Sequence, residues 1–219
     1  LVRATNKRYN KLVVEMVKIV NKDREYAGTR LEKYFSEESS VTSYWPDDVE
    51  ISTNVSHMQI YRTLYRSRIR MILEALEDHS RGWVAGESSK SGTRMKRGTF
   101  AIEHIMPQRW QTNWPLGNYP EEQRESLIQS IGNLTLLTTK LNSSVSNGPW
   151  ESKSDELTKH DVLLINKRIQ ELGRNGWSED LIKSRTSSIV ETLLNIWPVP
   201  ADHKSRSLLE KPEKQIKVG

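Results

Sequence analysis

Apolar residues recur at helical spacing over several stretches of the chain. Within 6–21, Leu12, Val13, Met16, Val17 and Val20 fall on one face, while Lys7, Arg8, Lys11 and Lys18 lie mostly off it, which predicts an amphipathic helix. A second helix is predicted within 25–36, with Leu31 and Phe35 buried. Residues 36–56 are rich in Ser, Thr and Asp and read as a connection with at most a short helix around 46–52. The clearest periodicity lies in 57–79. There Ile60, Leu64, Ile72 and Leu76 share a face, with Ile69 and Leu73 beside it, and one long helix is predicted. Its other faces carry Arg62, Arg66, Arg68 and Arg70, a set that suits either solvent or phosphate.

The pattern then changes. Residues 80–98 are rich in Gly and Ser and carry Lys90, Arg94, Lys96 and Arg97, which predicts a basic loop. Five residues separate Gly86 from Gly92 and Thr93 follows, so the spacing and the Lys of a phosphate-binding P-loop are both missing. Thr99–Ile102 is a short β-prone run that leads into Glu103 and His104, with Pro107 soon after. Residues 120–130 predict a helix with Pro120 at its first position and acids in its first turn. Gly132 breaks that helix, Leu134–Thr138 reads as a strand, and 139–147 predicts a short helix carrying Asn142. Helices follow over 155–172, with Leu157, Leu164, Ile165, Ile169 and Leu172 inside and Gly173 as the stop, and over 178–197, with Ser178 as the cap.

These elements predict an α+β fold that is mainly α. A basic helical region spans 1–98, a strand–loop–strand–helix insert spans 99–153, and helices over 154–200 pack on it. The tail 201–219 is polar and Lys-rich, and loose packing is expected there. Leu1 stands where a Met would begin a chain, and the sequence opens in mid-helix, so a fragment of a longer protein is expected.

Composition narrows the chemistry. The absence of Cys excludes disulfides, thiol catalysis and Cys-ligated zinc. No apolar run approaches the roughly 20 residues of a membrane span and no signal peptide is visible, so a cytoplasmic protein without a membrane partner is expected. The net charge of +5 favours a polyanion only weakly. What helical packing leaves unexplained is the polar set in the insert. Adjacent strand residues face opposite ways, so Glu103 and His104 divide two tasks between them, with Asn133 and Asn142 brought near by the second strand and the turn after it. A carboxylate and an amide oxygen suit Mg²⁺, and a neutral imidazole suits proton removal from an attacking water. Together they fit metal-assisted phosphodiester hydrolysis.

EHIMPQ (103–108), IGNLTLL (131–137) and LNSSVSN (141–147), followed by Trp150 and Lys153, resemble the His-Asn-Asn form of HNH nucleases. More narrowly they resemble the C-terminal HNH domain of GmrSD-class modification-dependent restriction enzymes and of SspE-type phosphorothioate-sensing defence nickases. WSEDLIKSR (177–185) and IWP (196–198) fit the same class. The resemblance implies a ββα-metal motif over 99–153 embedded in helices. It implies His104 as general base, Glu103 as metal ligand where many relatives carry Asp, Asn142 as second ligand and Asn133 as a site residue that holds the loop or the His. Lys153 is a candidate phosphate contact, as are Lys90, Arg94, Lys96 and Arg97. Mg²⁺ is the expected cofactor, with Mn²⁺ as a substitute. Double-stranded DNA such as phage DNA is the expected substrate, and an N-terminal nucleotide-hydrolysing or modification-sensing domain of the same chain is the expected partner. The oligomeric state is left open. Without a Cys-held zinc, Trp110, Trp114 and Trp150 are expected to brace the core. A DNA-binding module of the same fold that no longer cuts is the alternative.

Overall fold

The computed structural model describes residues 9–38, 44–83, 100–138, 147–160, 162–200 and 203. The helices are α1 (Tyr9–Lys22), α2 (Ala27–Glu37), α3 (Asp48–His57), α4 (Ile60–Thr63), α5 (Arg66–Ser80), α6 (Glu121–Ile128), α7 (Trp150–His160), α8 (Leu164–Leu172) and α9 (Glu179–Ile196). Two strands, β1 (Phe100–His104) and β2 (Leu134–Thr138), pair antiparallel, so the mainly helical α+β architecture is as expected. The chain divides into one unit of residues 1–54 with 198–219 and another of residues 55–197. In the first unit α1 packs on α2, and Trp45 meets the edges of Phe35 and His203. Among the described residues no helix is long and apolar enough to cross a membrane.

Several boundaries differ from the expectation, each for a physical reason. The helix expected to be short around 46–52 runs over Asp48–His57 because the Asp47 side chain accepts from the Glu50 amide at 2.7 Å and so starts it firmly. The single helix expected over 57–79 is split into α4 and α5, since Leu64 and Tyr65 are extended between them. Its apolar positions are nonetheless buried throughout, Ile60, Leu64, Ile69, Ile72, Leu73 and Leu76 alike. The helix expected over 155–172 is also broken, with Leu163 extended and buried between α7 and α8. Leu172 is exposed, not inside. Leu31 and Phe35 are half-buried, and Ser36 is the buried residue of α2. Pro120 is the N-cap of α6, one place before the expected first turn. Residues 84–98 of the loop expected over 80–98, residues 139–146 of the short helix expected over 139–147, and all of the tail expected over 201–219 except His203 lie outside the described residues.

The second unit is built around the strand pair. β2 is buried along nearly its whole length, and α5 and α8 pack against it. Glu77 of α5, fully buried, accepts from the Leu164 and Ile165 amides at 3.1 and 2.9 Å. It thereby caps the start of α8 across the fold and satisfies donors a helix leaves unpaired. Arg124 of α6 and Glu179 of α9 form a buried ion pair at 2.6 Å, and the same guanidinium donates to the Trp114 and Pro115 carbonyls. Trp110, Trp114 and Trp150 are core residues, as expected. Trp150 stacks on Trp177 with ring centroids 5.6 Å apart and donates to Gly173 O at 2.8 Å. Gly173 does end α8, but at φ −89; what demands glycine there is the Trp150 ring, which occupies the space of a Cβ.

A 3₁₀ turn, Ile131–Asn133, joins α6 to β2 and lies against α9. A Cβ on Gly132 would collide with the Ile182 carbonyl and the Thr186 side chain. The buried Arg185 donates through Nη1 to Gly132 O and Leu134 O at 2.7 and 2.8 Å. Gly132→Ala is therefore expected to destabilise the protein by roughly 2 kcal/mol or more. Gly117→Ala, where a Cβ meets open space, should change stability by less than about 0.5 kcal/mol. Urea midpoints of the two variants check this.

Candidate functional site

β1 ends on the two residues that the motif singled out. In the pairing, Glu103 stands opposite Thr135 and His104 opposite Leu134, so the two side chains leave opposite faces of the strand. Glu103 remains partly open, with its side chain 19% exposed, while His104 is 5% exposed. The His104 ring packs edge-on against Tyr61, with centroids 4.2 Å apart and planes at 73°. Its Nε2 has no hydrogen-bond partner among the described residues. Burial pulls the His104 pKa from 6.5 down to about 4; Gln129 pulls it up, and the Lys153 and Arg66 charges push it down. The ring is thus neutral at physiological pH, and its buried Nε2 makes no hydrogen bond among the described residues.

Lys153 joins the two faces. Its ammonium lies 3.0 Å from Glu103 Oε1 and donates to the His104 carbonyl at 2.8 Å. The structure therefore buries the expected phosphate contact, at 3% exposure, as the counter-ion of Glu103. Burial pushes the Glu103 carboxyl up against the pull of Lys153, and burial pulls the Lys153 ammonium down against the pull of Glu103. Both directions reflect the penalty of placing a charged pair inside the protein.

Asn133 is fully buried, and none of its side-chain hydrogen bonds goes to the His104 ring. Its Oδ1 accepts from the Met106 amide at 2.8 Å and from Trp177 Nε1 at 3.3 Å. Its Nδ2 donates to the Met106 carbonyl at 2.8 Å and the Ile128 carbonyl at 3.1 Å. Its own carbonyl accepts from the Ile105 amide at 2.9 Å. Asn133 thus locks the chain leaving β1 and acts through backbone position. Asn142, Lys90, Arg94, Lys96 and Arg97 lie outside the described residues.

Tyr61, Arg66, Gln129, Trp177 and Arg185 all act on this centre, yet the motif spacing pointed to none of them. Tyr61 and Arg66 come from about 40 residues upstream, so no local signal could place them beside His104. Among the described residues no cluster of three or more His, Cys, Asp or Glu could hold a metal ion. The part-open Glu103 carboxylate, on the opposite face of the strand from the His104 ring, still suits a hard cation. Mg²⁺ commonly takes one or two protein carboxylates and completes its shell with phosphate and water.

Residues 45–192, about two thirds of the chain, match the family described as GmrSD restriction endonucleases, C-terminal domain. No curated protein matches the chain.

The buried imidazole has a consequence for acid stability. The folded chain binds this proton less readily than the unfolded chain, so the stabilisation is full above about pH 6.5 and is lost as pH falls towards 4. The loss should reach roughly 3 kcal/mol once the ring is protonated. Unfolding midpoints measured across that window should fall more steeply for the native protein than for His104→Gln. Equal slopes would contradict the burial of the ring.

Proposed function

The chain belongs to the family of C-terminal domains of GmrSD restriction endonucleases, and on that premise we propose that it is a metal-dependent DNA endonuclease domain that nicks. The observation that carries this reading is the His104 imidazole, neutral and with Nε2 unpartnered, at the end of the strand that also presents the Glu103 carboxylate. Nε2 accepts a proton as a water oxygen attacks the scissile phosphorus, and the bond from phosphorus to the deoxyribose oxygen breaks with its electron pair left on that oxygen. General-base help of this kind supplies about 10²–10⁴-fold. Mg²⁺, or Mn²⁺ in its place, when held by Glu103 and Asn142, supplies polarisation of the phosphate and stabilisation of the leaving oxygen. Lys153 keeps Glu103 in place from behind and pins the His104 carbonyl. The Asn133 lock fixes the chain after β1.

One such centre acts on one strand per engagement, so nicks are the primary product and double-strand breaks need two events. Recognition of modified DNA and nucleotide hydrolysis belong to an N-terminal domain of the full protein. The position of Lys153 favours a second reading, a binding module that does not cut, because its ammonium occupies a flank of Glu103 that a cation would share.

Supercoiled plasmid distinguishes the two. With Mg²⁺ the native chain should convert it to the nicked form, and EDTA should stop the conversion. His104→Ala should lower the rate at least about 10²-fold. Retention by His104→Ala of the native rate would defeat the general-base assignment. Salt-sensitive binding with no product in Mg²⁺ or Mn²⁺ would establish the second reading.

A further inference from the structure

Four arginines lie between Tyr61 and Met71, and their surroundings separate them. Arg62 donates to Gln59 Oε1 at 3.2 Å. Arg68 sits 5.5 Å over the ring of its neighbour Tyr65. Arg70 donates from Nε to Phe100 O at 3.0 Å and ties α5 to β1. Arg66 differs from all three. It is exposed, and its guanidinium lies over the Tyr61 ring, with Cζ 3.4 Å from the centroid. Its Nη1 donates to the Tyr61 carbonyl. No acidic side chain among the described residues pairs with it.

Tyr61 is the same ring that packs against His104. Guanidinium, phenol and imidazole therefore follow one another in a continuous series from solvent to the buried base. The platform is fixed, since the Tyr61 amide donates to Gln129 O at 3.0 Å. A guanidinium carries five N–H donors in a planar fork, and stacking on an aromatic face orients the fork without using it up.

The backbone at this point also favours an anion. Arg66 opens α5, a helix of 15 residues with no acid in its first turn and no side-chain cap from Tyr65. The Arg68 and Ile69 amides bond to the Tyr65 carbonyl, but those of Arg66 and Ser67 have no acceptor among the described residues. A cation at a helix N-terminus opposes the helix dipole, a local conflict that sites of function tolerate. A phosphate would resolve it, taking the free amides and the guanidinium together.

We propose that Arg66 holds a phosphate oxygen of bound DNA beside the His104 imidazole, with the Tyr61 ring as the platform that aims the guanidinium. The inference rests on the nuclease reading and adds a substrate-contacting residue and a positioning residue to it. Arg66 fixes the strand in register with the base, and Tyr61 acts through Arg66 and His104.

Two measurements test it, duplex DNA binding in EDTA over a range of salt and single-turnover nicking of saturating plasmid in Mg²⁺. Arg66→Ala should weaken binding about tenfold and reduce the slope of log affinity against log salt by about one, the signature of one lost phosphate contact. Its nicking rate should fall 10- to 100-fold with the fold intact by circular dichroism. Arg66→Lys should restore the salt slope but only part of the rate, because charge returns without the planar fork. Tyr61→Leu should keep the salt slope and lose rate. If Arg66→Ala binds and nicks like the native chain while His104→Ala is inert, the proposal is overturned and the nuclease reading stands. If the native chain makes no nick in Mg²⁺ or Mn²⁺ yet Arg66→Ala still loses one unit of slope, the phosphate contact stands and the nuclease reading falls.

Discussion

One carboxamide holds the centre of this fold together. Asn133 offers two donors and two acceptor positions, and the structure engages all four with the Met106 amide, the Met106 carbonyl, the Ile128 carbonyl and the Trp177 indole. These partners lie in three different segments, namely the exit from β1, the end of α6 and the approach to α9. In the interior each such bond is worth more than in water, and losing one leaves a buried group without compensation. The direction in which the chain leaves His104 follows from this bracket. So does the position of α9 against the 3₁₀ turn, where Gly132 permits the contact and Arg185 fastens it.

Buried cations extend the same logic. Many small metal-bound folds are braced by cysteine-held zinc, which a chain without cysteine lacks. Here Arg124 joins α6, the 110–115 loop and α9, Arg185 holds both carbonyls around the turn, and Lys153 spans Glu103 and the His104 carbonyl. Removing one partner from such a pair costs about 3–5 kcal/mol, because the survivor is left charged in the interior. These contacts fix geometry more than they add net stability. The tryptophans fill the space between them, Trp150 against Trp177 and Gly173, Trp114 against Gly148.

Much of this was legible in the sequence, and the failures have a common cause. The second strand was readable at both ends, since Gly132 ends the preceding helix and a short run of Leu and Thr follows. The last helix announced itself through Ser178, whose side chain does accept from the Leu181 amide. The breaks at Leu64–Tyr65 and at Leu163 were hidden because the apolar positions stay buried through them, so periodicity continues where the helix does not. Glu77, which starts α8 from 87 residues away, has no local signature. At the candidate site, the strand residues and the locking asparagine could be picked out by type and spacing. Tyr61 and Arg66 could not, because only the tertiary fold carries them to His104.

The distances along the chain between partners have one more consequence. Glu77 finds Ile165, Asn133 finds Trp177, and Arg185 finds Gly132 only when widely separated stretches are present together. Contacts of that span form late and all at once, since a long loop must close before any of them rewards the closure. The residues that secure the turn behind β2 belong to the last described helix. During synthesis, β1 emerges from the ribosome well before the helix that holds its surroundings in shape. A nascent or truncated chain thus has the motif but no assembled centre, and the candidate site takes shape only when translation of the domain is complete.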